Sequence, residues 1–113
     1  MKIIRQNETV EFKNAASCTV WEYPHEDADI NIAVVKVQGR FPESGRLVNE
    51  KSKEIGYVME GSGKVVVEGE EVVLAKGDAI LIQPGERIYW EGDLTMLMPC
   101  TPAWTKEQHK MVG

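Results

Sequence analysis

The chain has 113 residues, of which 42% are hydrophobic and 27% charged, a size and composition suited to one compact domain with a single buried core. Its formal net charge is −5, and its Lys and Arg residues are scattered, so no basic face is expected and nucleic acid is excluded as an expected partner. Met1 to Glu8 turn polar after two apolar positions and no run approaches a spanning helix, so neither a secretory leader nor a membrane segment is expected, and the cytoplasm is the expected location.

Taken in chain order, residues 1–18 read as an N-terminal arm. From about residue 19, period-two alternation, β-branched residues and evenly spaced glycines dominate, and helical periodicity appears nowhere, which predicts an all-β chain. Predicted strands are Thr19 to Tyr23, Asn31 to Val37, Arg46 to Glu50, Glu54 to Glu60, Lys64 to Glu68, Glu71 to Leu74, Ala79 to Gln83, Ile88 to Glu91 and Leu94 to Met98. Many short strands at this spacing predict a sandwich or barrel.

Hairpin turns are predicted at Glu60-Gly61-Ser62-Gly63, Glu68-Gly69-Glu70 and Lys76-Gly77-Asp78, which supply residues that accept positive φ. Pro84-Gly85 breaks the strand before it. Pro24 to Asp29 is a polar loop. Residues 99–113 form an irregular tail with one helical turn predicted around Glu107. The two cysteines, Cys18 and Cys100, lack any close-spaced partner, so they read as buried thiols and not as a disulfide framework or zinc knuckle.

Two spacings stand out. Glu54 is followed by six residues and Gly61, and Gly77 is followed by Gln83-Pro84-Gly85, then Ile88 and Gly92. Together these resemble the two motifs of the small single-domain cupins over roughly residues 30–98. The resemblance implies an antiparallel jelly-roll β-barrel spanning residues 1–113 as one domain, with a barrel core of about 30–98. It also implies a homodimer, often formed by adding an N-terminal strand to the partner's sheet, and a Trp104 that caps the barrel end.

The cupin metal ligands implied by the motifs are three histidines and a glutamate. Glu54 holds the glutamate place. The second-motif histidine and asparagine have become Ile88 and Gly92, and the first-motif histidine pair falls on Val48 and Glu50, or on Leu47 and Asn49 if the spacer is one longer. The chain's two histidines, His25 and His109, lie outside both motifs and read as solvated surface residues. Two carboxylates without imidazole make a poor transition-metal site, and side by side in a barrel they would raise each other's pKa. No bound metal and no cofactor are therefore expected.

Alternation places Gly56 and Val58 on the face of Glu54, and Trp90 on the face of Ile88. The Arg46 strand has two open registers. In one, Arg46 and Glu50 face inward; in the other, Asn49 does. The candidate ligand-binding residues are thus Arg46, Asn49, Glu50, Glu54 and Trp90, an apolar wall with convergent polar groups, as ligand sites tend to be. Core packing is the competing account of Trp90, and an ion pair closing the barrel mouth is the competing account of Arg46 with Glu54. Tyr57 and Tyr89 fall on the outer side.

The leading expectation is a metal-free protein that binds a small polar or carboxylate-bearing molecule, with Arg46 as anion partner and Trp90 as an apolar wall. One alternative is a metal-dependent or acid–base enzyme (lyase, isomerase or dioxygenase) using Glu50 and Glu54, with His25 or His109 folded inward. Another is a dimerisation or sensor module without catalysis. No Ser or Cys lies beside a His with an acid behind it, so covalent catalysis lacks its parts.

Overall fold

The computed structural model describes all residues, 1–113. After a 3₁₀ turn at Gln6–Glu8 come β1 (Val10–Ala15), β2 (Cys18–Tyr23), β3 (Asn31–Phe41), β4 (Arg46–Asn49), β5 (Lys53–Val67), β6 (Glu70–Ala75), β7 (Ala79–Ile82), β8 (Ile88–Thr101), a second 3₁₀ turn at Lys106–Gln108, and β9 (His109–Val112). The chain is nearly all antiparallel β, a curled half-barrel of the jelly-roll kind.

Strand β8 is the spine. One edge pairs with β3 from Asn31↔Cys100 to Phe41↔Trp90, and β4 takes over that edge at Leu47↔Ile88. The other edge pairs with β5 from Lys53↔Thr101 to Val67↔Ile88. The far edge of β5 carries β7 along Glu54 to Tyr57 and β6 along Ser62 to Val67. β1 and β2 extend the sheet beyond β3, and β9 pairs with β4.

Because side chains alternate across a strand, one face of the curled sheet forms the core: Cys18 and Val20, Val37, Val58 and Val65, Ile88 and Trp90, and Leu94, Met96 and Met98, all buried, the irregularity after Val58 switching the inward parity of β5. The predicted face of β5 is observed, with Glu54, Gly56 and Val58 buried and Ile55, Tyr57 and Met59 exposed.

Several expectations about elements are corrected. Residues 1–18 are not merely an arm, since Val10–Ala15 forms β1 and pairs with β2. The tail contains its predicted single turn, but it ends in strand β9, ordered by its pairing with β4. Glu60-Gly61-Ser62-Gly63 is no hairpin, and the stretch around Gly92 is no break, because β5 and β8 run on through both. The glycines there serve a close crossing. A Cβ on Gly92 (φ +137°) would lie 2.6 Å from Gly63 Cα and 2.7 Å from Ser62 O, and one on Gly61 (φ +87°) would run into Asp93 O. A register irregularity between Val58 and Glu60 bends β5 just before it.

The hairpin at Gly69 forms as expected between β5 and β6, whereas the turn at Gly77 is no hairpin, since it joins β6 to β7 along the same edge of β5 without reversing the chain. Gly69 (φ +83°) has open space around it. Gly92→Ala is therefore expected to cost about 2–4 kcal/mol, from backbone strain plus overpacking. Gly69→Ala should cost about 1 kcal/mol, from strain alone. Urea unfolding of both variants checks this, and equal costs would show the crossing to be slack.

Candidate functional site

The curl of the sheet leaves an interior cavity of about 70 Å³, room for roughly five water molecules. Its wall takes residues from every layer: Phe12 and Asn14 from β1, Cys18, Val20 and Glu22 from β2, Asn31, Ala33 and Val35 from β3, Leu47 and Asn49 from β4, Glu54 from β5, Trp90, Met98 and Cys100 from β8, and Trp104 and His109 from the C-terminal segment.

Of the five residues singled out from the sequence, three line this cavity. Glu54 and Trp90 do so as alternation requires, and Asn49 does so because β4 adopts the register in which Leu47 and Asn49 face inward. Arg46 and Glu50 face away. Glu50 is exposed, and Arg46 donates from Nε and Nη2 to the Gly113 carbonyl oxygen at 2.9 and 2.7 Å. The anion partner expected inside the barrel is thus outside it, and no Arg46–Glu54 ion pair closes the mouth. Register decides this, since a shift of one residue moves every side chain of the strand to the other face.

Trp90 is 3% exposed, both a core residue and a wall of the cavity. Gly56 leaves space for its ring, for a Cβ there would sit 3.1 Å from the indole edge. Glu54 is 7% exposed and accepts a hydrogen bond at 3.4 Å from the Cys100 thiol through Oε2. Burial holds its carboxyl above the ordinary carboxylate range, the thiol hydrogen bond working weakly the other way. The cause is desolvation and not a neighbouring acid, since Glu50 lies outside. Burial also lifts the thiols. Cys18 is pushed up to about 12, with a counteracting hydrogen bond from Asn14, and Cys100 is raised by burial and then by Glu54. Neither sulfur is a thiolate nucleophile near neutral pH.

His109 overturns the expectation of a solvated residue. Strand β9 turns it inward opposite Asn49, where its ring stacks on Phe41 at 6.4 Å and meets Trp104 edge-on at 5.4 Å. Nδ1 lies 3.1 Å from Asn49 Oδ1, while Nε2 is buried without a partner. Burial lowers its pKa, favouring the neutral ring. Trp104 stacks on Phe12 at 6.5 Å and donates from Nε1 to Asn49 Oδ1 at 3.0 Å. It is a wall of the cavity, tied in by a hydrogen bond.

A clamp holds this segment in place. Gln108, 3% exposed, accepts through Oε1 from the backbone N–H groups of Lys51 and Ser52 at 2.9 and 2.7 Å, and donates from Nε2 to Ser52 Oγ at 2.8 Å. Ser52 Oγ donates in turn to Pro102 O at 2.7 Å.

Sequence reasoning placed neither cysteine in the cavity. The signal existed, for Cys100 continues the parity of Leu94, Met96 and Met98, and Cys18 that of Val20. His109 has no such signal, because its direction follows from the pairing of β9 with β4.

The donor set does not fit the metal centre that a cupin resemblance implies. Several residues of ligand type line the cavity, yet no three of His, Cys, Asp or Glu converge to hold an ion, and Glu54 is engaged with a thiol.

No curated protein matches the sequence. Among solved structures, the nucleoside dehydratase Pac13 superposes with a TM-score of 0.88 at 22% identity, covering 99% of this chain and 91% of that one. Pac13 is a Streptomyces protein, and one of its variants has been solved with uridine. KdgF from Halomonas gives 0.75 at 21% identity, with 95% and 97% covered, and ectoine synthase from P. lautus gives 0.75 at 16%, with 100% and 91% covered. At these identities the likeness establishes the fold. The profile of the cupin domain family matches residues 33–98, more than half of the chain, and with the jelly-roll geometry already described it shows that this protein belongs to the cupin family.

Proposed function

We propose that the chain binds a small, uncharged, hydroxyl- or amide-bearing molecule in the barrel cavity and does so without a metal. One observation carries this reading: no Lys or Arg is among the residues that line the cavity, and its two central ionisable groups are both driven toward their neutral forms by burial. A ligand carboxylate would enter without a counter-charge, at a desolvation cost that nothing offsets. A carboxylate-bearing ligand, the alternative that depended on Arg46, is for that reason set aside. The polar groups that remain, Asn14, Glu22, Asn31, Asn49, Glu54 and His109, suit hydrogen bonding to uncharged donors and acceptors and offer an anion nothing but acids and amides, while Trp90 and Trp104 supply apolar faces. Among the solved structures of similar fold is a nucleoside dehydratase seen with uridine, a neutral hydroxylated molecule.

Thermal-shift measurements against glycerol, small neutral sugars and uridine, with acetate, malate and citrate as the anionic arm, test the proposal. A neutral ligand at tenfold excess over its Kd should raise Tm by several degrees, since it contributes roughly 1.4 kcal/mol. Stabilisation by the acids alone, or by no compound, would sink it.

Neutral Glu54 also has a signature in stability. Its folded pKa lies above its unfolded value, so the stabilising contribution of the protonated form is fully present below the unfolded pKa. It is lost as pH rises through the folded pKa. Glu54→Gln keeps the shape and cannot ionise. The variant should therefore gain stability relative to the wild type as pH rises from about 4 to about 8. Parallel urea titrations at the two pH values measure this, and a wild-type advantage that grows with pH would contradict it.

We also propose that a second copy of the chain covers the outer sheet face. Opposite the core, two registered rows run Trp21, Val34, Leu97, Tyr57 and Tyr23, Ile32, Pro99, Ile55, Leu81, with Ile55, Tyr57 and Leu81 40%, 43% and 51% exposed. A sheet with one solvated face is polar there, and such a continuous apolar patch marks an interface. Glu11 ends the first row and is occupied by the Trp21 Nε1–H; the rest of the two rows carries no charge that a heterologous partner could read, whereas two copies packed sheet to sheet need none. Ile55→Lys with Leu81→Glu is expected to give a monomer in sedimentation at micromolar concentration while preserving the fold. A wild-type monomer under the same conditions would refute the interface.

A further inference from the structure

Asn49 Oδ1 faces two ring nitrogens, Trp104 Nε1 at 3.0 Å and His109 Nδ1 at 3.1 Å. An indole N–H can only donate, so the Asn49 atom facing Trp104 is the carbonyl oxygen and not the amide nitrogen. The same oxygen offers only lone pairs to His109. Nδ1 must therefore carry the hydrogen, and a neutral imidazole has just one, which leaves Nε2 bare. That nitrogen is buried with no partner in the protein, on a residue that lines the cavity. Buried acceptors without partners cost about 1–3 kcal/mol and call for a reason.

We propose that Trp104 and Asn49 are positioning residues that lock His109 as the Nδ1–H tautomer, and that bare Nε2 is the cavity's acceptor for an O–H or N–H group of a neutral ligand and the base that can take its proton. The inference deepens the binding reading above, since it names the group that meets the ligand's donor. The clamp of Gln108 on Ser52 and on the backbone of residues 51 and 52 fixes the residue next to His109, which gives the imidazole little freedom to turn away.

The chemistry balances within the cavity. When a ligand O–H or N–H gives its proton to Nε2, the donor–hydrogen bond breaks and its electron pair stays on the ligand. The resulting imidazolium still donates from Nδ1 to Asn49. Glu54, whose protonated form burial favours, can return a proton from its carboxyl oxygen to another ligand atom and become a carboxylate, which keeps the Cys100 hydrogen bond. The site then holds an imidazolium and a carboxylate. It resets when the proton passes back through product or water, with no oxidant or reductant needed. The other titratable side chains facing this space are Glu22, Cys18 and Cys100; Lys110, beside His109 on β9, is exposed.

The test needs no ligand. In heavy-nitrogen-labelled protein, long-range proton–nitrogen correlation spectra assign the imidazole tautomer, with His109→Gln identifying the signals. The Nδ1–H form with unprotonated Nε2 should dominate near neutral pH. Trp104→Phe keeps an aromatic ring and removes the N–H that orients the Asn49 amide, and Asn49→Leu removes the acceptor. Each should raise the share of the Nε2–H tautomer by about fivefold, the worth of one net hydrogen bond. Asn49→Asp should retain the tautomer and move the His109 titration to higher pH, since it puts an opposite charge beside Nδ1. A dominant Nε2–H form in the wild type, or a ratio unmoved by both Trp104→Phe and Asn49→Leu, would overturn the lock. The two readings fail separately, because a chain with the tautomer that binds none of the screened compounds contradicts the binding proposal and leaves this one standing.

Discussion

Strand β8 is hydrogen-bonded along both edges, to β3 on one side and to β5 on the other, and this double pairing sets the parity of every neighbouring strand. Once Leu94, Met96 and Met98 point inward, registration carries Val37, Val35 and Ala33 inward across β3, and Cys18, Val20 and Glu22 across β2. Glu54 faces inward opposite Cys100 by the same rule. The composition of the cavity is thus largely a consequence of one strand's alternation, and shifting β8 by a residue would exchange its lining for the outer apolar rows.

Much of this was legible in the amino-acid order, because alternation is local. The face of β5 that carries Glu54, the inward turn of Trp90 and the hairpin at Gly69 follow from short-range pattern. Other features depend on contacts distant in sequence. Gly61 and Gly63 have the composition of a turn, yet they serve a crossing between β5 and β8 that exists only once the sheet has curled. The Arg46 strand was ambiguous by one residue, and its register comes from pairing with β9. A four-residue strand that ends in His-Lys-Met-Val carries too short a pattern to announce itself, so His109 and the polar lock around it were out of reach.

The exchange of ligands for other side chains has a physical logic. Where the motif-bearing strands of the family would present imidazoles, this chain presents Leu47, Asn49 and Ile88, and its one cavity imidazole arrives from the C-terminal end of the sequence. Surrounding Glu54 and His109 with apolar walls favours the uncharged form of each. An interior built this way suits hydrogen bonding between uncharged groups, whereas metal coordination needs deprotonated donors that converge. The outer sheet face is a separate matter. Its apolar rows lie on the opposite side of the strands from the cavity, with Ile55, Tyr57 and Leu81 exposed.

Each indole of the chain occupies a distinct setting. Trp90 and Trp104 border the enclosed space, while Trp21 lies across the sheet from it with its Nε1 donating to Glu11 at 2.8 Å. The protein therefore carries its own optical gauge: a soluble quencher meets the indole on the outer face and the interior pair on different terms, so filling of the cavity and covering of the outer face, the two events proposed above, have separate signals in a single untagged sample.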